Sequence, residues 1–551
     1  MREIDRLTTE RYAVPSLLLM QAAADASARE IAAHFSHDLR GRNILVLCGR
    51  GNNGGDGAAL ARSLCHAGAK ATVLLFARVE ETKGDARTNF EMARRLNGFV
   101  DGVRGLIYPL QFFEIVEEAV WRDTRAAFTH SKDVIVDALF GTGLTRPIEG
   151  IHANVVEYLE RLRGLRERAS SSCCKPLFVS LDIPSGLNAD ARAPIGPAVR
   201  ADVTVTFTAP KPANVLPPAS HFNGRLVVAD IGSPPKLFDE APSKLLLVEP
   251  EDARSWLART RYTPDSYKNT HGHALVVAGS RGMTGAAVLC ADAAMASGAG
   301  LVTLASPESA LPAIAPRLMP EIMTAPLKET EAGSVSAGAY EQFERLSGRT
   351  SVVAVGCGLT REDESTRRFV RACVERRRAP LVIDADGLNA LAPWPAELKG
   401  TPDAPVVLTP HEGEMLRLLG AEDPSALDER VRVVGEFASS HQLFVVLKGT
   451  RTLVAAPDGR VFVNPTGNAG LGTAGSGDTL TGVVTGFLAQ EFGAKGGGRD
   501  ALTAVLAAVY VAGLAGDLAA KGLGMRTMVA SDVRKYLGAA VRALDPEGET
   551  P

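Results

Sequence analysis

Apolar residues fall into short, nearly continuous runs separated by stretches with helical spacing. In the first half the runs lie at 44–48, 72–76, 134–136, 177–181, 203–207 and 226–228, with helical patterns at 58–67 and 152–168. In the second half they resume at 274–278. They continue at 301–304, 352–355, 381–383, 406–408, 444–447 and 452–455, before helical sequence from Asp478 onward. Strands apolar on both faces that alternate with helices predict parallel sheets covered on both sides. A stretch rich in Pro and charge at 233–242 separates the two runs and reads as a linker. The pattern therefore predicts two three-layer α/β domains, 1–240 and 241–551.

A length of 551 residues agrees with this division, because one ordinary core does not grow so large. The formal net charge of −3 gives no electrostatic case for nucleic acid as a partner. Arginines are dispersed, and the short run Arg376-Arg377-Arg378 reads as a solvated helix end. The seven cysteines show no CxxC pair or other metal-ligand spacing. Adjacent Cys173 and Cys174 cannot form an ordinary disulfide with each other, and Cys48, Cys290 and Cys357 read as small core residues. Reduced thiols and a charged N-terminus unlike a signal peptide point to the cytoplasm. The apolar stretch 501–516, bounded by Asp500 and Asp517, falls short of the ~18 residues of a spanning helix and predicts a buried core helix, so no membrane partner is expected.

The sharpest local chemistry is the segment 470–478, in which Gly470, Gly472, Gly475 and Gly477 lead to Asp478. Apolar residues at Leu480, Val483, Val484, Phe487 and Leu488 mark one helix face after it. Glycines let backbone N–H groups turn toward an anion, and the helix N-terminus adds partial positive charge. A carboxylate there can take a proton from an attacking hydroxyl while amides stabilise a phosphoryl group; the plainer alternative is an N-terminal helix charge. Lys448, Gly449, Thr450, Arg451 and Thr452 follow one strand, where phosphate or ribose contacts are usual. After another come His411, a candidate substrate contact, and Glu414, a candidate organiser of magnesium; a turn opening a surface helix is the alternative. Asp384 and Asp386 close a third strand, near a metal or as a polar strand end.

The first half carries a second anion-binding pattern, without the dinucleotide fingerprint, in Asn52, Asn53, Gly54, Gly55 and Asp56. Two later strand ends supply Asp137 with 141–144 and Asp182 with Ser185. Parallel-sheet geometry brings such ends together around one crevice. Oxygens of Asn53, Asp137 and Ser185 can hold a hard cation, and Asp182 is a candidate acid/base, with a strand-end cap as its alternative.

The second half resembles the ADP/ATP-dependent NAD(P)H-hydrate dehydratases of the ribokinase-like superfamily. The segments that carry the resemblance are 271–273 with Gly279-Ser280, 284–287, 297–301, 356–359, 384–389, 409–414 and 467–470. Cys357 and Glu412 stand where the family usually has Pro, and 473–478 follows the general kinase form. The resemblance implies that Asp478 deprotonates the ring hydroxyl of hydrated NADH or NADPH. Ala286, Gly358 and His411 would touch that cofactor, and Lys448, Gly449, Thr450, Arg451, Thr452 and Gly477 would hold ADP or ATP with Mg2+.

Residues 1–235 resemble the NAD(P)H-hydrate epimerase domain, with a Rossmann-like fold; 2–5 and 19–23 match its N-terminal helices. The resemblance implies substrate contacts from Asn52, Asn53, Gly54, Gly55 and Asp56, from Gly141, Thr142, Gly143, Leu144, Thr145, Arg146 and Pro147, and from Asp182. It implies K+ bound by Asn53, Asp137 and Ser185, with Asp182 as acid/base. The basic, Ser-rich stretch 161–175 reads as an insertion forming an exposed loop. The expected protein is a bifunctional repair enzyme and homo-oligomer. The competing reading is a ribokinase-like small-molecule kinase with a non-catalytic nucleotide-binding N-terminal domain.

Overall fold

The computed structural model describes residues 1–98, 108–168, 175–360, 363–493 and 499–549. The chain divides into two compact units, Met1–Pro242 and Ser243–Pro551. The first unit is built on seven strands: β1 Asn43–Cys48, β2 Lys70–Leu75, β3 Leu110–Glu114, β4 Val134–Ala138, β5 Leu177–Leu181, β6 Val203–Phe207 and β7 Arg225–Ala229. All are parallel, in the order β3-β2-β1-β4-β5-β6-β7. Alternate residues of β1 enter cores on opposite faces, Ile44 and Val46 with Leu60 and Phe90, Leu45 and Leu47 with Trp121 and Val155. The chain winds outward from β1 in one direction and from β4 in the other, so a crevice opens beyond their C-terminal ends.

Two expectations for this unit are corrected. The helix expected over 58–67 starts earlier, at Asn52, and runs to His66. Its glycines therefore serve close packing rather than a loop. A Cβ on Gly54 would stand 1.8 Å from the Gly49 carbonyl oxygen, and one on Gly57 would stand 2.7 Å from the Ala138 Cβ. The stretch 161–175 is not a loop where it is described, because the helix Gly150–Arg168 continues through its first half. Two of its basic residues are tied down: Arg166 donates to both oxygens of Asp202, at 2.5 and 2.6 Å, and Arg163 reaches the same carboxylate at 3.2 Å. Cys173 and Cys174 lie outside the described residues.

The second unit carries ten strands: β8 Leu245–Leu247, β9 His273–Val277, β10 Leu301–Pro307, β11 Met323–Leu327, β12 Val352–Val355, β13 Leu381–Ile383, β14 Val406–Leu408, β15 Phe444–Leu447, β16 Leu453–Ala455 and β17 Val461–Val463. Their order is β11-β10-β9-β12-β13-β14-β15-β16-β17-β8. The sheet is parallel except where β16 runs antiparallel to both β15 and β17, so the expectation of an all-parallel sheet is corrected at this edge. The direction of winding reverses between β9 and β12. Helices Thr284–Ala296 and Ser476–Gly493 cover one face and pack closely: a Cβ on Gly482 would stand 2.2 Å from the Cys290 carbonyl oxygen. Beside them lies Ala501–Leu523, with 72% of its most apolar stretch buried inside the unit. Cys48, Cys290 and Cys357 are buried, as small core residues should be.

Candidate active sites

In the first unit the crevice is a cavity of about 880 Å³. Asn52, Asn53 and Asp56 line it from the helix Asn52–His66, and Gly141, Thr142, Gly143, Leu144, Arg146 and Pro147 line it from the loop after β4. Asp182 lines it from the end of β5. Gly54, Gly55 and Thr145, expected at the substrate, are not in this lining. Gly54 and Gly55 are buried against Gly49, Ala86 and Met20, and packing accounts for both.

Asp182 sits at φ 64, a left-handed conformation that costs a non-glycine residue energy and persists only where its surroundings fix it. Those surroundings are visible. Its N–H donates to the Val205 carbonyl at 2.7 Å, and its carbonyl accepts from Asn214 Nδ2 at 3.3 Å. Its Oδ1 accepts from Lys211 Nζ at 2.5 Å and from Thr206 Oγ1 at 3.3 Å. Its Oδ2 points toward Gly141, 3.2 Å from where a Cβ would stand there. Asp56 makes no side-chain hydrogen bond among the described residues. Burial, with repulsion from Asp182 and Asp5, pushes its carboxyl well above the usual carboxylate range.

Asp137 is held by Ser185 Oγ at 2.6 Å, Ser185 N–H at 2.8 Å and Ser180 Oγ at 2.9 Å. Burial nevertheless raises its pKa, against those hydrogen bonds. Asn53 is different: both its amide oxygen and its amide nitrogen are buried without a partner. Such a group is costly unless a ligand completes it.

In the second unit Asp478 lies in the first turn of the helix Ser476–Gly493. Ligand atoms of Cys357, Asp384 and Asp478 lie within 4.8 Å of one another. Asp384 Oδ1 accepts from Lys448 Nζ at 2.7 Å, and Oδ2 accepts from Thr481 Oγ1 at 2.7 Å. Burial works against ionisation of Asp384, but the Lys448 cation and these hydrogen bonds prevail and hold its carboxyl below the ordinary value. Asp478 lacks such a partner. Burial, aided by the Asp384 charge and opposed by Cys357 and Lys448, pushes it up to about 6. A general base working near neutral pH is tuned in this way.

Lys448 Nζ stands 3.2 Å from where a Cβ on Gly477 would be, so these two nucleotide-site candidates meet. Gly449 follows at φ 157, Thr452 Oγ1 donates back to its carbonyl at 3.3 Å, Arg451 donates to the Pro465 carbonyl, and Thr450 is exposed. Ala286 and Gly358 are neighbours across the β9/β12 switch, since a Cβ on Gly358 would lie 3.1 Å from that of Ala286. His411 caps the helix Glu412–Leu419: its Nδ1 accepts from the Gly413 N–H at 3.0 Å, and its own N–H donates to Glu414 Oε2 at 2.8 Å. Its ring is about half exposed, and its Nε2 stands 3.5 Å from Glu414 Oε1. Glu414 is buried and also faces Lys448 at 3.7 Å.

Sequence reasoning missed Lys211, Asp5, Arg2 and Arg50, which all line the first cavity. It also gave no role to Thr481. Lys211 stands in Thr208-Ala209-Pro210-Lys211-Pro212, just past β6; its place after a strand end was the available signal.

Residues 274–538 match the family model described as NAD(P)H-hydrate dehydratase, and residues 16–213 match the model described as YjeF-related protein N-terminus. The chain is 39% identical over 550 residues to a protein of Moorella thermoacetica named bifunctional NAD(P)H-hydrate repair enzyme, covering 100% of this chain and 97% of that one. A protein of Thermofilum pendens with the same name is 37% identical, at coverages of 99% and 96%. Among solved structures, the chain is similar to the ADP/ATP-dependent NAD(P)H-hydrate dehydratase of Bacillus subtilis co-crystallised with ATP/Mg2+. Identity there is 30%, the TM-score is 0.45, and the match covers 54% of this chain and 98% of that one. With curated relatives matched over nearly their full length and both halves matched by their own models, the chain belongs to the family of bifunctional NAD(P)H-hydrate repair enzymes.

Proposed function

We propose that the first unit interconverts the R and S forms of hydrated NADH and NADPH, and that the second dehydrates the S form using ADP or ATP. The observation that carries this reading is Asp478, a carboxylate tuned to about 6 in the first turn of a helix, beside a lysine paired to another acid.

Hydration of a dihydronicotinamide ring leaves a hydroxyl on the carbon beside the ring nitrogen. In the second unit Asp478 takes the proton of that hydroxyl as its oxygen attacks the terminal phosphorus of the nucleotide, and the bond to the AMP or ADP leaving group breaks. The electron pair of the ring nitrogen then expels phosphate, and loss of a proton from the neighbouring carbon restores the double bond. Lys448 and Gly477, which meet in this site, would cradle the transferred phosphoryl group. The buried carboxylates Asp384 and Glu414 would hold Mg2+, which would supply positive charge for the nucleotide.

In the first unit the same carbon epimerises when its hydroxyl leaves and water returns on the other face. Asp56, whose carboxyl is pushed up by burial and its acidic neighbours, gives the departing oxygen its proton; Asp182 takes one from the incoming water. Asn53, with its unpartnered buried amide, and the oxygens of Asp137 and Ser185 suit K+, which would supply a fixed positive charge beside an anionic substrate.

The test is incubation with mixed R and S hydrated NADH, with and without ADP or ATP. Consumption of both forms, release of phosphate and return of reduced-nicotinamide absorbance support the reading. A stable phosphorylated product would show a kinase instead, and loss of the S form alone would remove the epimerase.

A further inference from the structure

We propose that Lys211 is the positioning residue of the epimerase site, clamping one oxygen of Asp182 so that the other faces the substrate. The inference rests on the reading of the first unit as an epimerase.

Lys211 is 4% exposed, and a lysine is almost never so buried without partners. Its ammonium donates to Asp182 Oδ1 at 2.5 Å, Thr206 Oγ1 at 2.9 Å and the Phe207 carbonyl at 2.9 Å. All three of its protons are therefore used, and none is left for a ligand. That separates Lys211 from Arg2, Arg50 and Arg146, cations that are exposed at the same cavity. Their exposure leaves the arginines open to an anionic substrate. Lys211 is placed to hold a carboxylate.

The clamp has its own support. The Lys211 N–H donates to Asn214 Oδ1 at 2.9 Å. Asn214 Nδ2 donates to the Asp182 carbonyl at 3.3 Å and to Asn223 Oδ1 at 3.1 Å. The backbone of Asp182, strained at φ 64, and its Oδ1 are thus fixed from the same short segment after β6. Asp182 Oδ2 remains toward Gly141 and the cavity, where the reacting oxygen has to come. A carboxylate free to rotate would offer either oxygen at variable distance. A clamped one offers a single geometry, and a misplacement of ~1 Å at a reacting atom costs about 10²-fold in rate.

The experiment measures R-to-S epimerisation and S-form dehydration on the same full-length protein. Lys211→Met is expected to lower kcat for epimerisation about 10²-fold with KM little changed, while dehydration with ADP or ATP proceeds at the unaltered rate. Lys211→Arg, which keeps the charge and can still reach Oδ1, is expected to recover part of that loss. In an Asp182→Asn background, Lys211→Met should add no further loss, because a clamp has no effect once its carboxylate is gone. Equal kcat in Lys211→Met and the parent would overturn the clamp. So would a rise in KM with kcat intact, which would make Lys211 a substrate-binding residue, or fully additive losses in the double variant. If Lys211→Met does not fold, the Arg variant and the Asp182→Asn pair built with Lys211→Arg decide the matter. If the parent protein itself fails to epimerise, the functional reading fails before the clamp is tested.

Discussion

Both units place a lysine against a carboxylate beyond the C-terminal ends of parallel strands, but they choose different carboxylates. In the first unit Lys211 holds Asp182, the residue assigned to the chemistry. In the second Lys448 holds Asp384, a neighbour of the assigned base, and Asp478 is left without an ion pair of its own. The consequence is electrostatic. Asp384, paired to Lys448, is held below the ordinary carboxylate value, whereas Asp478, unpaired in a buried site next to that anion, is pushed toward neutral pH. A fixed oxygen position suits a group that must meet a hydroxyl as it departs and returns; a carboxyl poised near neutrality suits a base that must take a hydroxyl proton during phosphoryl transfer.

The comparison can be strained at its strongest point first. Asp478→Asn should lower nucleotide-dependent dehydration about 10²–10⁴-fold and leave epimerisation unaltered, as measured by separating the two epimers over time. Next in size is Lys448→Met. Removing one partner of a buried pair costs about 3–5 kcal/mol, so the second unit should melt earlier, and dehydration should need a higher pH because Asp478 loses a nearby cation. The unaltered protein should lose dehydration rate about tenfold per pH unit as pH falls below about 6, because the base must be ionised; a profile flat through that range would remove Asp478 from the role. The smallest effect is on stability. Asp478 binds its proton more readily when folded, at about 6 against an ordinary value of 3.8, so its ionisation above pH 6 opposes folding, and that cost disappears as pH falls. Asp478→Asn should therefore stabilise the second unit at pH 7, by an amount on the order of 1–3 kcal/mol in denaturant unfolding, and not at pH 4.

Strand ends and glycine-rich turns were legible in the sequence because each depends on local residues. Asp137 and Ser185 meet where β4 and β5 end, as neighbouring parallel strands require, and Asp478 falls in the first turn that the apolar spacing after it marks. What was not legible depends on distant partners. Strand β3 alternates buried and exposed residues at a sheet edge and β11 contains a proline, so neither shows an apolar run, while β8 is three leucines set directly after the linker. Lys211 reads locally as a solvated charge between two prolines; only the fold shows that Asp182 and Thr206 surround it. The glycines after Gly51 read as a loop because their reason, contact with Gly49, Ala86 and Ala138, lies elsewhere in the chain. The helix Gly150–Arg168 follows the helical pattern at 152–168, but the hold of Asp202 on Arg163 and Arg166 is not revealed by their own residues.

The most direct test of two separately wired sites is complementation between single variants. Asp182→Asn should consume the S form with ADP or ATP and leave the R form, beyond the interconversion seen without protein. Asp478→Asn should equilibrate the two forms and consume neither. Mixed together, the two proteins should consume both forms completely. If Asp478→Asn alone still dehydrates, or if the mixture leaves the R form behind, the assignment of one carboxylate to each reaction is contradicted.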